Sequence, residues 1–252
     1  MSYLLNKEWR LWLVALSFFT RIPVHIADFQ EADLNHAARY FPLVGALVGV
    51  VAASVYTLAS KIMPGEIAIL ASMTASIWLT GAFHEDGLAD AADGLGGGCG
   101  KEQVLTIMQD SRLGSFGAIA LFLMLMAKYE VLTHTYPALI TSVMIVSHAL
   151  SRFAAVLVIY TQHYVRPVGK SKPLATQLNN RELAFAAFFG LAPFILLLPK
   201  LLIALLPVLI VWCWFSYKLK KRLGGYTGDC LGAMQQLCEL AFYLGVLLWS
   251  LH

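Results

Sequence analysis

The chain has few charged residues, which excludes an ordinary soluble protein. Only 13% of its 252 residues are Asp, Glu, Lys or Arg, whereas 59% are hydrophobic and the mean hydropathy is +0.69. Soluble domains carry about 25% charged residues. The chain also lacks internal repeats, low-complexity linkers and any polar block long enough for a separate soluble domain. The composition therefore predicts a single integral membrane domain over residues 1–252.

Scarce cysteine and scattered basic residues exclude two further kinds of site. The four cysteines form no CxxC pair, so the sequence predicts neither a disulfide framework nor a zinc site. The net charge of +3 comes from basic residues spread over several loops rather than gathered in one stripe. A nucleic-acid partner is therefore not expected.

Long apolar runs take up most of the chain and predict transmembrane helices. Each run approaches the ~20 residues that cross a bilayer as a helix. The runs lie at residues 41–63, 67–83, 116–132, 137–160, 183–198, 201–217 and 233–251. We therefore predict an all-α polytopic bundle of about seven transmembrane helices over residues 41–252, after a cytoplasmic or interfacial segment at residues 1–40. Gly45 and Gly49 in the first span form a GxxxG pair, which predicts close approach of another helix.

The distribution of Lys and Arg predicts how the chain is oriented. These residues gather on the cytoplasmic side of membrane proteins. If the N-terminus is cytoplasmic, the outer loops hold only Lys61 and Lys200. Seven helices with the C-terminus outside fit this pattern. Lys128 and Glu130 lie toward the outer end of the third span, so we expect their side chains to extend to the surface and to have a structural role.

Three acids in the stretch HEDGLADAADG, residues 84–94, predict a metal site. If the stretch is helical, Asp90 and Asp93 lie about 40° forward and about 20° back from Asp86, so the three share one face. Two like charges about 6 Å apart repel by roughly 3 kcal/mol at an effective dielectric near 20. Oxygen ligands without cysteine favour Mg²⁺, which one or two carboxylates hold together with substrate phosphates. The alternative is that these acids cap a helix and solvate a loop.

Further polar groups are predicted to meet this acidic stretch on the cytoplasmic face. They are the segment DSRLGS at residues 110–115, Arg152 inside the fourth span, and the segment GGYTGDCLGA at residues 224–233. An Arg within a span is costly, so Arg152 should face the interior and pair with an acid or a phosphate. Asp110 and Asp229 have an ordinary alternative as residues of a helix cap or a turn. The predicted catalytic residues are Asp86, Asp90, Asp93, Asp110 and Asp229, and the predicted substrate-binding residues are Ser111, Arg112, Arg152 and Thr227.

Three motifs together resemble one known family. FHEDGLADAADG at residues 83–94, MQDSRLGSFG at 108–117 and RLGGYTGDCLGA at 222–233 resemble the cobalamin synthase family of adenosylcobinamide-GDP ribazoletransferases. FFTRIPV at residues 18–24 and FPLVGALVG at 41–49 resemble the same family. The loop at residues 166–182 matches the family pattern less closely.

The resemblance implies a multi-pass, Mg²⁺-dependent enzyme of the bacterial or archaeal inner membrane, with its active site facing the cytoplasm. Such an enzyme joins adenosylcobinamide-GDP to α-ribazole or its 5′-phosphate and releases GMP, which attaches the lower ligand of vitamin B12. Its expected partners are these substrates and the lipid bilayer, with a homo-oligomer or other corrinoid-assembly enzymes as further possibilities. As a hypothesis for the mechanism, we predict that Asp86, Asp90 and Asp93 hold Mg²⁺ against the diphosphate. Arg112 and Arg152 contact phosphate, and Asp110 or Asp229 accepts the hydroxyl proton.

Other classes of membrane protein also use intramembrane acids. A CDP-alcohol phosphotransferase or a prenyltransferase has an Asp-rich metal site, although with different motif spacing. A cation transporter or a membrane scaffold is a further alternative. A transporter is expected to place ionisable residues along a path through the membrane midplane, whereas the acids predicted here cluster at one face.

Overall fold

The computed structural model describes residues 2–26, 29–166 and 178–250, and these are almost entirely helical. The predicted all-α class is therefore confirmed. The helices are α1 (Ser2–Phe19), α2 (Glu31–Ala37), α3 (Phe41–Ala59), α4 (Gly65–Thr80), α5 (Phe83–Gly97), α6 (Lys101–Ile107), α7 (Ser115–Thr133), α8 (Pro137–Thr161), α9 (Asn180–Leu197), α10 (Leu205–Leu223) and α11 (Gly228–Ser250).

The predicted number of spans agrees with the helices. Six helical segments among the described residues are long and apolar enough to cross a membrane: Ala32–Ala59, α7, α8, α9, Leu202–Leu223 (which includes α10) and α11. The pair α4 and α5 passes the same criterion together, which raises the count to as many as seven. The chain is therefore a multi-pass membrane protein. The cytoplasmic location of the N-terminus stays a prediction.

A sharp bend between α4 and α5 was not expected from the sequence. The two helices meet at 85°. Gly81 and Ala82 both adopt left-handed backbone conformations, with φ of 65° and 58°. The backbone N–H of Ala82 donates to the Ile77 carbonyl, which ends α4 as left-handed helix caps commonly do. The acidic stretch is therefore a separate helix and not a continuation of the second span.

Close packing of α3 on α8 confirms the prediction from the GxxxG pair. A Cβ atom on Gly45 would lie 2.2 Å from the His148 carbonyl oxygen, and one on Gly49 would lie 2.6 Å from the Ile145 Cα. Neither helix leaves room for a side chain at these contacts. This contact fixes α8, and with it Arg152, relative to the first span.

A second close approach joins α5 to α11. A Cβ atom on Gly87 would lie 3.0 Å from the Asp229 carbonyl oxygen and 3.2 Å from the Gly232 Cα. Because the two backbones almost touch, the start of α11 lies beside the acidic stretch. The segment at residues 228–233, predicted to precede the seventh span, forms the first turns of α11 itself.

The prediction that Lys128 extends to the surface is wrong. Its side chain is buried in the bundle, where Nζ donates to Gln236 Oε1 at 2.7 Å and to Glu239 Oε1 at 2.8 Å. Since α11 offers a buried carboxylate and an amide oxygen at this level, the ammonium is paired without reaching water. We call Lys128, His148, Arg152 and Glu239 the buried charge network.

Candidate active site

The acidic stretch of α5 meets a cavity of the bundle through one of its acids. Asp86 lines this cavity, which encloses about 330 Å³. Asp90 follows four residues later on the same face of the helix. The charges of Asp229, Asp86 and Arg166 all act on the Asp90 carboxyl. Two residues from α5 and one from α11 thus form an acidic cluster with an arginine beside it.

Asp229 is held at the cavity by partners from two segments. Its Oδ2 accepts from Arg166 Nη2 at 2.5 Å and from Thr227 Oγ1 at 3.3 Å. Thr227 is fully buried, so it supports Asp229 and does not line the cavity. Asp229 and Arg166 both do. The pair leaves the second carboxylate oxygen of Asp229 available to another group.

A short pairing of extended segments brings Arg166 to this position. After α8, Val165 N–H donates to the Tyr226 carbonyl at 3.0 Å, and Tyr226 N–H donates to the His163 carbonyl at 2.9 Å. Arg166 follows directly and reaches Asp229. In the sequence, Arg166 is only one of the basic residues that indicate how the chain is oriented in the membrane. Its place immediately after a span, on the side predicted to hold the acids, was the one available indication of a role in the site.

Asp93 lies behind the acidic cluster and caps a neighbouring helix. Its Oδ2 accepts from Gly114 N–H at 2.8 Å, and its Oδ1 accepts from Gly117 N–H at 2.9 Å. A carboxylate at a helix N-terminus satisfies free backbone donors and interacts favourably with the helix dipole. Asp93 thus performs for α7 the capping role that was the alternative to metal binding. Each oxygen still has a second lone pair.

The residues of the DSRLGS segment are more exposed. The Arg112 side chain folds back on Asp110. Its Nη2 donates to Asp110 Oδ2 at 2.6 Å, and its Nε donates to Asp110 Oδ1 at 3.0 Å. The Arg112 side chain is 87% exposed, and Ser111 is exposed beside it. Hydrogen bonds from Arg112 lower the pKa of Asp110 to about 2. None of these three residues lines the cavity.

Arg152 connects the cavity to the buried charge network. Its Nη1 donates to the His148 carbonyl at 3.1 Å, while its side chain lines the cavity beside Asp86. The predicted interior position is confirmed, since Arg152 is only 2% exposed. Its Nε is buried and has no acceptor among the described residues. A donor of this kind is available to an anionic ligand.

Aromatic rings line the same cavity as Asp86 and Asp229. Phe18 and Phe19 come from α1, Phe41 from α3 and Phe83 from the start of α5. The Phe18 and Phe83 centroids are 5.1 Å apart in an edge-to-face arrangement. We call these four residues the aromatic wall. The sequence gives no signal of this wall, because phenylalanines in a membrane protein match the background composition.

The described residues include no group of three or more His, Cys, Asp and Glu side chains that could hold a metal ion by themselves. Asp86 and Asp90 nevertheless fit Mg²⁺, because this ion is commonly held by one or two carboxylates together with substrate phosphates and water. Their close placement near Asp229 supplies oxygen donors of the required type. The metal site stays a prediction.

The structure therefore brings together only part of the predicted set. Asp86, Asp229 and Arg152 line the cavity, and Asp90 lies close to the first two. Thr227 bonds to Asp229, and Asp93 bonds to the start of α7. Asp110, Ser111 and Arg112 form a neighbouring surface segment. Most of the loop at residues 166–182, namely residues 167–177, lies outside the described residues.

Comparison with known proteins identifies the family. The model of the cobalamin-5-phosphate synthase family matches residues 11–247. A protein of Ralstonia pickettii named adenosylcobinamide-GDP ribazoletransferase is 45% identical over 250 residues, which cover 97% of this chain and 98% of the relative. Proteins of the same name from Shewanella amazonensis and Vibrio cholerae are 42% and 41% identical, over 97% and 100% of this chain and 98% of each relative. No solved structure matches the chain. This chain belongs to the cobalamin-5-phosphate synthase family, as the resemblance of its motifs predicted.

Proposed function

We propose that the chain is an adenosylcobinamide-GDP ribazoletransferase, which joins adenosylcobinamide-GDP to α-ribazole or its 5′-phosphate. The observation that carries this proposal is the meeting of Asp86, Asp229 and Arg166 at one cavity, with Asp90 close to these three charges. Acids with adjacent arginines suit a diphosphate substrate and its counter-ion. The family match favours this reaction over those of a CDP-alcohol phosphotransferase or a cation transporter.

The reaction is a phosphoryl transfer. A ribose hydroxyl oxygen of the acceptor forms a bond to the phosphorus on the cobinamide side of the diphosphate. The bond from this phosphorus to the bridging oxygen breaks, and GMP departs with the electron pair. The hydroxyl proton passes to a base. Catalysis of such a transfer consists mainly of positioning and of charge stabilisation, which fixed charged side chains supply.

Mg²⁺ is the proposed cofactor, with Asp86 and Asp90 as ligands from the acidic cluster. Asp93 completes the proposed set through the lone pairs that its backbone donors leave free. When bound, the ion neutralises charge on the diphosphate and on the departing phosphate. Asp93 also keeps α7 in place against α5, so it has a second, structural role.

Two arginines of the cavity are the proposed phosphate contacts. Arg152 offers its unpaired Nε, and Arg166 offers a guanidinium whose Nε is also without an acceptor among the described residues. Arg112 lies in the neighbouring surface segment, where it contacts phosphate only if the substrate extends beyond the cavity. Ser111 shares this position. Thr227 acts on substrate through Asp229.

Asp229 is the proposed general base. A base is most effective when its pKa lies near the working pH. Asp110 has a pKa of about 2 and is bound by Arg112, so it is a weak proton acceptor. Asp229 lines the cavity, and one of its oxygens is free of the Arg166 contact. An attacking hydroxyl group that donates to this oxygen loses its proton to it.

The proposed location is the cytoplasmic membrane, with the cavity open to the cytoplasm. This orientation rests on the excess of Lys and Arg in the loops on the side of the acidic stretch. The substrates would then reach the site from the cytoplasm. A homo-oligomer or contacts with other corrinoid-assembly enzymes also belong to the proposal.

The test is release of GMP by purified protein in nanodiscs supplied with adenosylcobinamide-GDP, α-ribazole and Mg²⁺. We expect GMP and the corrinoid product in equal amounts, with no product after Mg²⁺ is chelated and recovery when it is restored. Asp86→Asn should abolish release. Glu130→Gln, at an exposed acid of α7 outside the cavity, is the matched control. Wild-type protein that forms no product under these conditions contradicts the proposed function.

A further inference from the structure

We infer that the aromatic wall (Phe18, Phe19, Phe41 and Phe83) binds the apolar bicyclic base of the acceptor nucleoside. This inference rests on the proposed function and assigns one substrate to one part of the cavity. α-Ribazole carries a dimethylbenzimidazole base on a ribose, so it combines an apolar ring system with a polar sugar. The cavity is lined by both kinds of group, namely four phenylalanines and the charged side chains of Asp86, Arg152, Arg166 and Asp229.

The wall is open at its rim. Phe18 and Phe83 are 39% and 38% exposed although they are large aromatic residues. Phe19 packs behind them, with its ring centroid 5.6 Å from that of Phe83 and 4.4 Å from that of Phe41. Both Phe19 and Phe41 are buried. Two exposed rings backed by two buried rings form a firm surface on which a planar group can pack. Aromatic pairs favour the edge-to-face and offset contacts that such a surface offers.

The position of Phe83 on α5 links the wall to the reacting groups. Phe83 and Asp86 are three residues apart on one helix, so their side chains are neighbours, with Cβ atoms about 5–6 Å apart. A base packed against Phe83 therefore places its ribose beside Asp86. Asp229 lines the same cavity, since α11 approaches α5 at Gly87. The hydroxyl groups of the acceptor then lie near the proposed metal ligand and the proposed base.

Cavity size favours the acceptor over the donor. Drug-sized ligands occupy pockets of about 300–1,000 Å³. At about 330 Å³ the cavity is at the small end of this range and accommodates a nucleoside. A corrinoid with its adenosyl group and GDP arm is several times larger. The donor therefore enters only with its diphosphate, from the side of Arg166.

Polarity favours dimethylbenzimidazole over guanine, the other aromatic base in the reaction. Guanine has several donors and acceptors on its edges, and burying them without partners is costly. Phenylalanine rings offer none. The nearest polar ring is that of His84, which is buried and stacks on Phe19 with centroids 5.5 Å apart. The wall thus matches a base that has few polar atoms.

The test combines equilibrium binding with kinetics for the full-length protein in nanodiscs. For Phe83→Leu we expect the Kd of radiolabelled α-ribazole to rise about tenfold, which corresponds to about 1.4 kcal/mol. The KM for α-ribazole should rise by a similar factor, while the KM for adenosylcobinamide-GDP changes less than twofold. Phe83→Tyr keeps the ring and should stay close to wild type. Phe122→Leu, at an exposed ring of α7 outside the cavity, is the matched control.

The possible results separate this inference from the proposed function. A rise in the KM for the donor without a change for α-ribazole places guanine on the wall and overturns the inference. Unchanged values for both substrates in Phe83→Leu and Phe18→Leu also overturn it. Wild-type protein that binds α-ribazole but releases no GMP contradicts the proposed function and leaves the binding site for the base standing.

Discussion

Two charged regions of this membrane protein differ in how their charges are balanced. In the buried charge network, Glu239 accepts from Lys128 at 2.8 Å, from Gln235 at 2.6 Å and from Tyr243 at 3.1 Å. In the acidic cluster, Asp86 and Asp90 lie near a third acid, Asp229, which has Arg166 as its partner. In the first region, Lys128 and Glu239 neutralise each other. The second concentrates negative charge beside open space.

This difference assigns distinct roles to the two regions. Charges inside a membrane protein are costly and persist where they are paired or functional. The network is paired across α7, α8 and α11, so it holds these helices in register. The acidic cluster is incompletely neutralised by the described residues, and the proposed Mg²⁺ and diphosphate would complete its charge balance. Arg152 belongs to both regions, because its side chain contacts His148 and lines the cavity.

The largest effect is expected at the cavity. Asp90→Asn should lower the rate of GMP release by about a thousandfold, or roughly 4 kcal/mol of transition-state stabilisation. Because removing a like charge relieves repulsion from Asp86 and Asp229, the temperature of unfolding should stay the same or rise. Thermal unfolding in detergent and the GMP assay measure the two effects. A variant that unfolds at a markedly lower temperature would assign Asp90 a structural role like that of the network.

The opposite result is expected in the network. Lys128→Met leaves the Glu239 carboxylate buried without its ammonium partner, which should destabilise the protein by about 3 kcal/mol. The double variant Lys128→Met with Glu239→Gln removes both charges and should recover much of this loss. Lys200→Met, at an exposed lysine, is the control. Denaturation in mixed micelles measures the stabilities. Equal stability of the single variant and wild type would contradict a structural role for the pair.

Asp93 combines features of both regions, so a smaller and mixed effect is expected. An Asn at this position keeps one acceptor oxygen but loses the charge and the second acceptor. The N-terminus of α7 then lacks one of its two bonds to the side chain, at a cost of about 1.5 kcal/mol. We expect both the unfolding temperature and the Mg²⁺ affinity in the GMP assay to fall. A loss of stability with unchanged Mg²⁺ dependence would remove Asp93 from the metal site.

The sequence predicted the features that depend on local composition. Apolar length identified the spans, and the GxxxG pair identified the contact of α3 with α8, because both signals lie within one helix. Their spacing also predicted that Asp86 and Asp90 share one face of a helix. The partner of Lys128 was not, since Glu239 is more than one hundred residues away and no local pattern connects the two. Arg166 was missed for the same reason.

The bend at Ala82 sets the angle between α4 and α5, and it carries the smallest predicted effect. Ala82 adopts φ of 58°, a conformation that costs an L-residue about 1 kcal/mol relative to glycine. Ala82→Gly should therefore raise the free energy of unfolding by about 0.5–1 kcal/mol and leave GMP release unchanged, because the bend itself is kept. Gly81→Ala should lower the free energy of unfolding. The backbone φ at this position is 65°, and a Cβ atom there would lie 2.9 Å from Arg21 Nε. Chemical denaturation of both variants measures the effect. If Ala82→Gly is less stable than wild type, then α5 is held at its angle by the Ala82 methyl group and not by the backbone conformation.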